Sequence, residues 1–210
     1  MINYRQLTGL PKPVVGNAVN IRIGMKQNYV QMVRDYETVL STKLLEFFQQ
    51  LGLTPSFCSL FGEQHKQESG IWIHSDILWK DDHWVKLPFG INWELIPGDT
   101  HFSWWDTGTL DECYPESTAN TEWCQTDGFE FGQQGIHYGA RENNSAEGCE
   151  CVEQLKMEFM TPYLVRADVP HSVEYTTTYK HRIGVSVRFP VEQVPTWERA
   201  LEIFEPYFKK

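Results

Sequence analysis

The sequence predicts an α+β fold, mainly β, in which an antiparallel double sheet is flanked by an N-terminal helix and a short C-terminal helix. Three observations carry that reading. Short apolar runs, many alternating with period two, recur from residue 56 to residue 189 and are bounded by Gly, Pro and Asp. One helix-period pattern precedes them and a shorter one follows. No internal repeat interrupts the series, so the strands read as one antiparallel double sheet.

Taken in order, residues 1–29 read as irregular, broken by Pro11, Pro13 and Gly16, and lying over the body of the fold. Residues 30–51 carry the clearest helical period: Val33, Tyr36, Leu40, Leu44, Phe47 and Leu51 recur at spacings of three or four. Gly52 is placed to end that helix, which is expected to pack on the outside of a sheet. Strands follow in SFCSLF, IWIHSD, LPFGINWELI and THFSWWDT, the first two separated by the polar turn GEQHKQESG.

Residues 107–150 differ from the rest. They hold nine acidic residues against one basic residue, Arg141, together with six Gly and three of the five Cys. A stretch of this length inside one domain is functional, mobile or inserted; here it reads as a lid-like acidic insertion with one hairpin. Alternation resumes in CVEQLKMEFM, where Leu155, Met157 and Phe159 share a face. Three strands then run through YLVRADVPHSVEYTTTYKHRIGVSVRF, with His171 directly after Pro170. Val194, Trp197, Leu201 and Phe204 mark the last helix.

Bulk composition bounds the function. A chain of 210 residues with 41% hydrophobic and 14% aromatic content suits one globular domain, 1–210. A net charge of −10 argues against sequence-independent binding of nucleic acid, which needs clustered Lys and Arg. No apolar run approaches the roughly 18 residues of a membrane span, and the N-terminal residues lack the pattern of a secretory leader. Five Cys without scaffold spacing fit a reducing compartment, and a cytoplasmic protein is expected.

Two places carry chemistry. His74 and Asp76 lie two apart on a strand and so share a face. Arg182, Gly184, Ser186 and Arg188 share one face of the last strand, opposite Ile183, Val185, Val187 and Phe189. Guanidinium groups, a hydroxyl and a glycine gap on one face suit a small dianion. Two His and a carboxylate at an open site make the facial arrangement that holds non-haem Fe(II), and His74, Asp76 and His171 are the candidates. An H-x-D alone is a weak signal, since by itself it reads sooner as a half-buried His bonded to its neighbours.

The ordered set is more specific: H-x-D after a strand, a distant Pro-His, then Arg182 eleven residues beyond His171 and Arg188 closing an R-x5-R. Over about residues 70–189 this resembles the Fe(II)- and 2-oxoglutarate-dependent oxygenases of the double-stranded β-helix, or jelly-roll, fold. INWELIPG and the PHSVEY…RIGVSVRF ending are similar to the phytanoyl-CoA or aspartyl-hydroxylase-like branches, and R-x5-R to the dealkylating branch. The resemblance implies an oxidoreductase, a dioxygenase that hydroxylates a C–H bond of a small-molecule or side-chain substrate and releases succinate and CO2. It implies Fe(II) on His74, Asp76 and His171, and 2-oxoglutarate with its distal carboxylate on Arg182. Ser186 would add a hydrogen bond, although some members carry that Ser where this chain has Gly184. Arg188 would reach the cosubstrate or an acidic substrate, or else form a salt bridge at the barrel rim.

Other signals carry less. Cys113, Cys124, Cys149 and Cys151 lack paired C-x2-C units and read as free thiols rather than a zinc site. Trp93, Trp104 and Trp105 read as core before substrate stacking. His83, His101 and His137 read as surface residues, and His181 as facing away from the site. Asn92 and Glu94 share a face that lines the barrel or meets solvent. The rival expectation is a non-catalytic, cupin-like jelly-roll protein for binding or assembly, with the acidic insertion as its contact surface. A cupin-type metalloenzyme without a 2-oxo acid is weaker, because the full cupin ligand set is not seen.

Overall fold

The computed structural model describes residues 2–13, 29–33, 35–63, 71, 73–96, 99–114, 134–138, 146–175 and 182–210. It is mainly β, with two antiparallel sheets and two short α-helices. One sheet contains β1 (Tyr4–Gln6), β2 (Tyr29–Val33), β3 (Phe57–Glu63), β6 (Phe89–Ile96), β11 (Tyr163–Arg166) and β13 (Arg182–Arg188). Its spatial order is β1-β11-β6-β13-β3-β2. The other contains β4 (His74–Lys80), β5 (His83–Lys86), β7 (Thr100–Asp106), β8 (Glu112–Cys113), β9 (Gln134–Tyr138), β10 (Glu150–Lys156) and β12 (His171–Tyr175). There the order is β10-β7-β12-β4-β9-β8, with β5 hairpinned onto β4.

Most of the expected strands form where alternation placed them. The N-terminal quarter differs. Tyr4–Gln6 is not irregular but an edge strand on β11. The segment expected as one helix over 30–51 divides into β2, a 3-10 turn at Tyr36–Thr38 and a helix, α1, at Thr42–Gln50. Val33, Leu40, Leu44 and Phe47 do line one core, which is why they mimic a single helical stripe. The helix itself starts at the Ser41 N-cap, whose hydroxyl accepts from the Leu44 amide. Upstream of it, pairing with β3 supplies the backbone bonds of Tyr29–Val33.

Both helices, α1 and α2 (Trp197–Phe204), cover the outer face of the first sheet. Leu44, Phe47 and Phe48 of α1 and Trp197, Ala200 and Phe204 of α2 pack on Leu60, Ile91, Trp93, Val185 and Val187. The apolar face of β13 therefore meets the helices, as alternation predicts, and the opposite face looks into the space between the sheets. Phe48 is fully buried and meets Phe189 edge-on at 5.0 Å. Phe48→Ala should cost about 3–5 kcal/mol, read as a lower denaturant midpoint at unchanged slope.

A second apolar cluster joins the two sheets. Phe102, Trp104, Leu155 and Met157 of the second sheet side meet Tyr163 and Val165 of β11, with Tyr4 stacked on Trp104 at 5.8 Å. Phe159 does not continue this face. It is 57% exposed, because the chain turns away at Met160, whose φ is 56°.

The rest of the inter-sheet space is polar. Ser59, Ser186 and Asn92 are register partners across β3, β13 and β6, and all three are buried. Glu94 lies on the same face, buried, and accepts from the Thr100 hydroxyl. Asn92 and Glu94 thus line the interior and do not meet solvent. No helix among the described residues is long and apolar enough to cross a membrane.

Candidate metal centre

β4 and β12 lie side by side, and His171 is the register partner of His74. The Asp76 amide donates to Ala167 O at 2.8 Å, and its carbonyl accepts from Leu87 N at 2.9 Å. The strand is thereby held through its backbone on both sides of the carboxylate. His74, Asp76 and His171 converge, with one ligand atom from each within 4.8 Å of the others.

Asp76 Oδ1 is 3.5 Å from His74 Nε2 and 3.8 Å from His171 Nε2. Two donors on one ion at roughly 2.1 Å each stand about 3–3.4 Å apart, so movements of less than about 1 Å would close the set. The tautomer is right for binding. His171 Nδ1 lies 2.9 Å from Val169 O and donates to it, which leaves the Nε2 lone pair facing Asp76. Burial pushes the His171 pKa down against the opposing pull of Asp76, so the ring is held neutral, as a ligand must be.

The second oxygen of Asp76 belongs to Arg188, whose Nη2 donates at 2.5 Å. This pair is not at a rim: Arg188 and Asp76 are each 2% exposed. Arg188 Nε and Nη1, Ser186 Oγ and Asn92 Oδ1 are buried without a hydrogen-bond partner. Buried donors on a guanidinium are costly to leave unpaired, and Arg188 Nε and Nη1 are groups that an anion would satisfy. Gly90 makes the room. A Cβ there would lie 2.6 Å from Ser186 Oγ and 2.9 Å from Arg188 Cζ.

The structure therefore brings together His74, Asp76, His171, Ser186 and Arg188. The Arg182 side chain lies outside the described residues; its backbone stands on β13 opposite Glu63. His181, Cys124 and the turn GEQHKQESG, apart from Gly62 and Glu63, also fall outside them. Asn92 and Gly90 are site residues that sequence reasoning did not single out for the site, and their signal is register across β6 and β13. Cys113 sits on β8 and Cys151 on β10, at opposite edges of one sheet, so they cannot share an ion. None of Cys58, Cys113, Cys149 and Cys151 is in a disulfide. Trp93 and Trp104 are core residues, as expected, while Trp105 donates to Ser172 at 2.9 Å.

The hairpin expected in the acidic insertion forms from β8 and β9. β9 lies along β4, with His137 in register with His74 and Gly135 with Asp76. No protein-family model matches the chain, and no curated protein sequence does.

Proposed function

We propose that this chain is an Fe(II)- and 2-oxoglutarate-dependent oxygenase that hydroxylates a C–H bond of a small-molecule or side-chain substrate. One observation carries the reading. A single buried carboxylate offers one oxygen to two imidazoles and the other to an arginine whose remaining donors await an anion. The strand orders support a double-stranded β-helix, because β11-β6-β13-β3 and β10-β7-β12-β4 interleave in sequence as the two sheets of that fold do.

The donor set fits the metal: two neutral imidazoles and a carboxylate suit Fe(II) and leave positions for cosubstrate and O2. Bound together, Fe(II), 2-oxoglutarate and O2 would supply oxidative decarboxylation to succinate and CO2 and the insertion of one oxygen atom into substrate. The protein's part is to hold and orient. Asp76 is held by Arg188 so that only Oδ1 turns to the imidazoles. Arg188 stands at the metal end of β13, and Arg182 lies six residues further along, roughly 20 Å at about 3.3 Å per residue. In this reading the cosubstrate runs along β13 over Ser186 and Gly184, with its distal carboxylate on the Arg182 guanidinium. Asn92 and Ser186 bind its flank, and the sandwich around them excludes water.

The test is an anaerobic titration of Fe(II)-loaded protein with 2-oxoglutarate, following the visible metal-to-ligand charge-transfer band. The band should form with wild type, vanish in His171→Ala, and require about tenfold or more cosubstrate in Arg182→Ala. Iron bound without any band would leave a metal site but remove the oxygenase reading.

A further inference from the structure

The acidic segment does more than border the site, since its second strand is the neighbour of the strand that carries two ligands. β4 meets β12 through one register pair, His171 with His74. Its other side, from His74 to Ile77, is paired along its length by β9. The ligand segment is therefore held from both sides, by His171, Ala167 and Leu87 on one and by β9 of the hairpin on the other.

Side-chain bonds reinforce that pairing. Ser75 lies between the ligands and points to the opposite face of the sheet. It is fully buried, with its hydroxyl 2.7 Å from the Tyr138 hydroxyl at the end of β9. Tyr138 is the register partner of Glu112 on β8, whose negative charge adds to the rise of the phenol pKa. Lys86 of β5 holds Glu112 Oε1 at 2.6 Å, and Tyr114 donates to Oε2 at 3.0 Å.

The protonation states follow from chemistry. The Lys86 hydrogen bond holds the Glu112 carboxyl below its ordinary range, so it accepts only. Burial pushes the Tyr138 phenol up to about 12, so it keeps its proton. Tyr138 and Ser75 thus share a bond between two protonated hydroxyls, in which either can donate.

We propose that Tyr138 is a positioning residue of the metal centre, acting through Ser75 to hold the His74–Asp76 segment at ligand spacing. The insertion hairpin is then a working part of the centre. This rests on the metal-site reading above and not on the cosubstrate. The ligand atoms need movements of less than about 1 Å to close on an ion, so a comparable drift of the strand is felt as affinity.

The experiment is an anaerobic titration with Co(II), following its d–d absorption, beside an unfolding curve for each apo-protein. Tyr138→Phe and Ser75→Ala should each weaken Co(II) roughly tenfold, the low end for an outer-sphere partner, and shift the d–d bands alike. The double variant should lose no more than either single one, since both remove the same contact. Tyr114→Phe, which loses a bond to Glu112 but keeps the Ser75–Tyr138 contact, should bind as wild type does. Wild-type affinity and bands in Tyr138→Phe, with only a lower unfolding midpoint, would make the residue structural and overturn the proposal. Losses that multiply in the double variant would overturn it too. Folded wild type that takes no ion would defeat the metal reading itself, and the proposal with it.

Discussion

Asp76→Ala is expected to lose the metal and to cost the apo-protein about 3–5 kcal/mol of stability, whereas His74→Ala loses the metal alone. The two residues share a strand and a ligand set, yet their surroundings differ. Asp76 is the carboxylate partner of a guanidinium buried to 2% exposure. Arg188 already has two nitrogens without hydrogen-bond partners. Removing the carboxylate takes away the bond at Nη2 and the countercharge together, in a place that water does not reach. The His74 side chain keeps 14% exposure, and its loss should stay near 1 kcal/mol or less. Titration with Fe(II) and urea unfolding of both apo-variants would read the two effects separately. Equal stabilities would mean that Arg188 finds another countercharge, and the pair would then not organise the centre. Iron retained in both variants would remove the centre altogether.

Much of the site was legible because strand alternation is strict. His74 with Asp76, and Ser186 with Arg188, fall on interior faces as period two requires. Alternation reports a face but not a partner. That Arg188 binds Asp76, 112 residues away, follows only from how the two sheets pack. Asn92 was legible only as lining the barrel or meeting solvent, and its place at the site comes from register with Ser186 on β13, while Gly90 carried no signal of its own. The β5 strand passed unread although its turn was there to see. Asp81 and Asp82 take φ of 48° and 61°, the left-handed pair that closes a two-residue hairpin. In the insertion, composition marked something unusual and one hairpin was expected. What composition could not show is where that hairpin docks, because Ser75 and Tyr138 are 63 residues apart. The overlong N-terminal helix had another cause. A strand, a 3-10 turn and a helix that line one core in succession leave the same spacing of apolar residues as one helix does.

Gly90→Ala should weaken 2-oxoglutarate binding by roughly tenfold or more while leaving Fe(II) affinity near wild type. Elsewhere in a strand, a Gly-to-Ala change at an unstrained position is neutral or stabilising by about 0.4–1 kcal/mol, through the unfolded chain. Here the new methyl would meet Ser186 Oγ at 2.6 Å, Arg188 Cζ at 2.9 Å and Arg188 Nε at 3.0 Å. Those atoms sit at the ends of side chains, so the backbone can stay in place while the guanidinium moves. It cannot move freely, because Nη2 remains tied to Asp76. The cheapest response is a tilt that keeps that bond and swings Nε and Nη1, the two unpartnered nitrogens, out of line. A cosubstrate lying over Ser186 would meet those donors at its metal end, so its affinity falls by about the worth of a hydrogen bond to a charged group, roughly 1.5–3 kcal/mol. None of the three atoms nearest the methyl belongs to His74, Asp76 or His171. Parallel titrations with Fe(II), and then with 2-oxoglutarate on the iron-loaded variant, separate the two affinities. Unchanged cosubstrate binding would show that Arg188 and Ser186 do not contact it, and would return Arg188 to a purely structural partner of Asp76. A loss of iron of the same size would mean instead that the tilt breaks the Asp76 bond, and that the carboxylate depends on Arg188 for its aim.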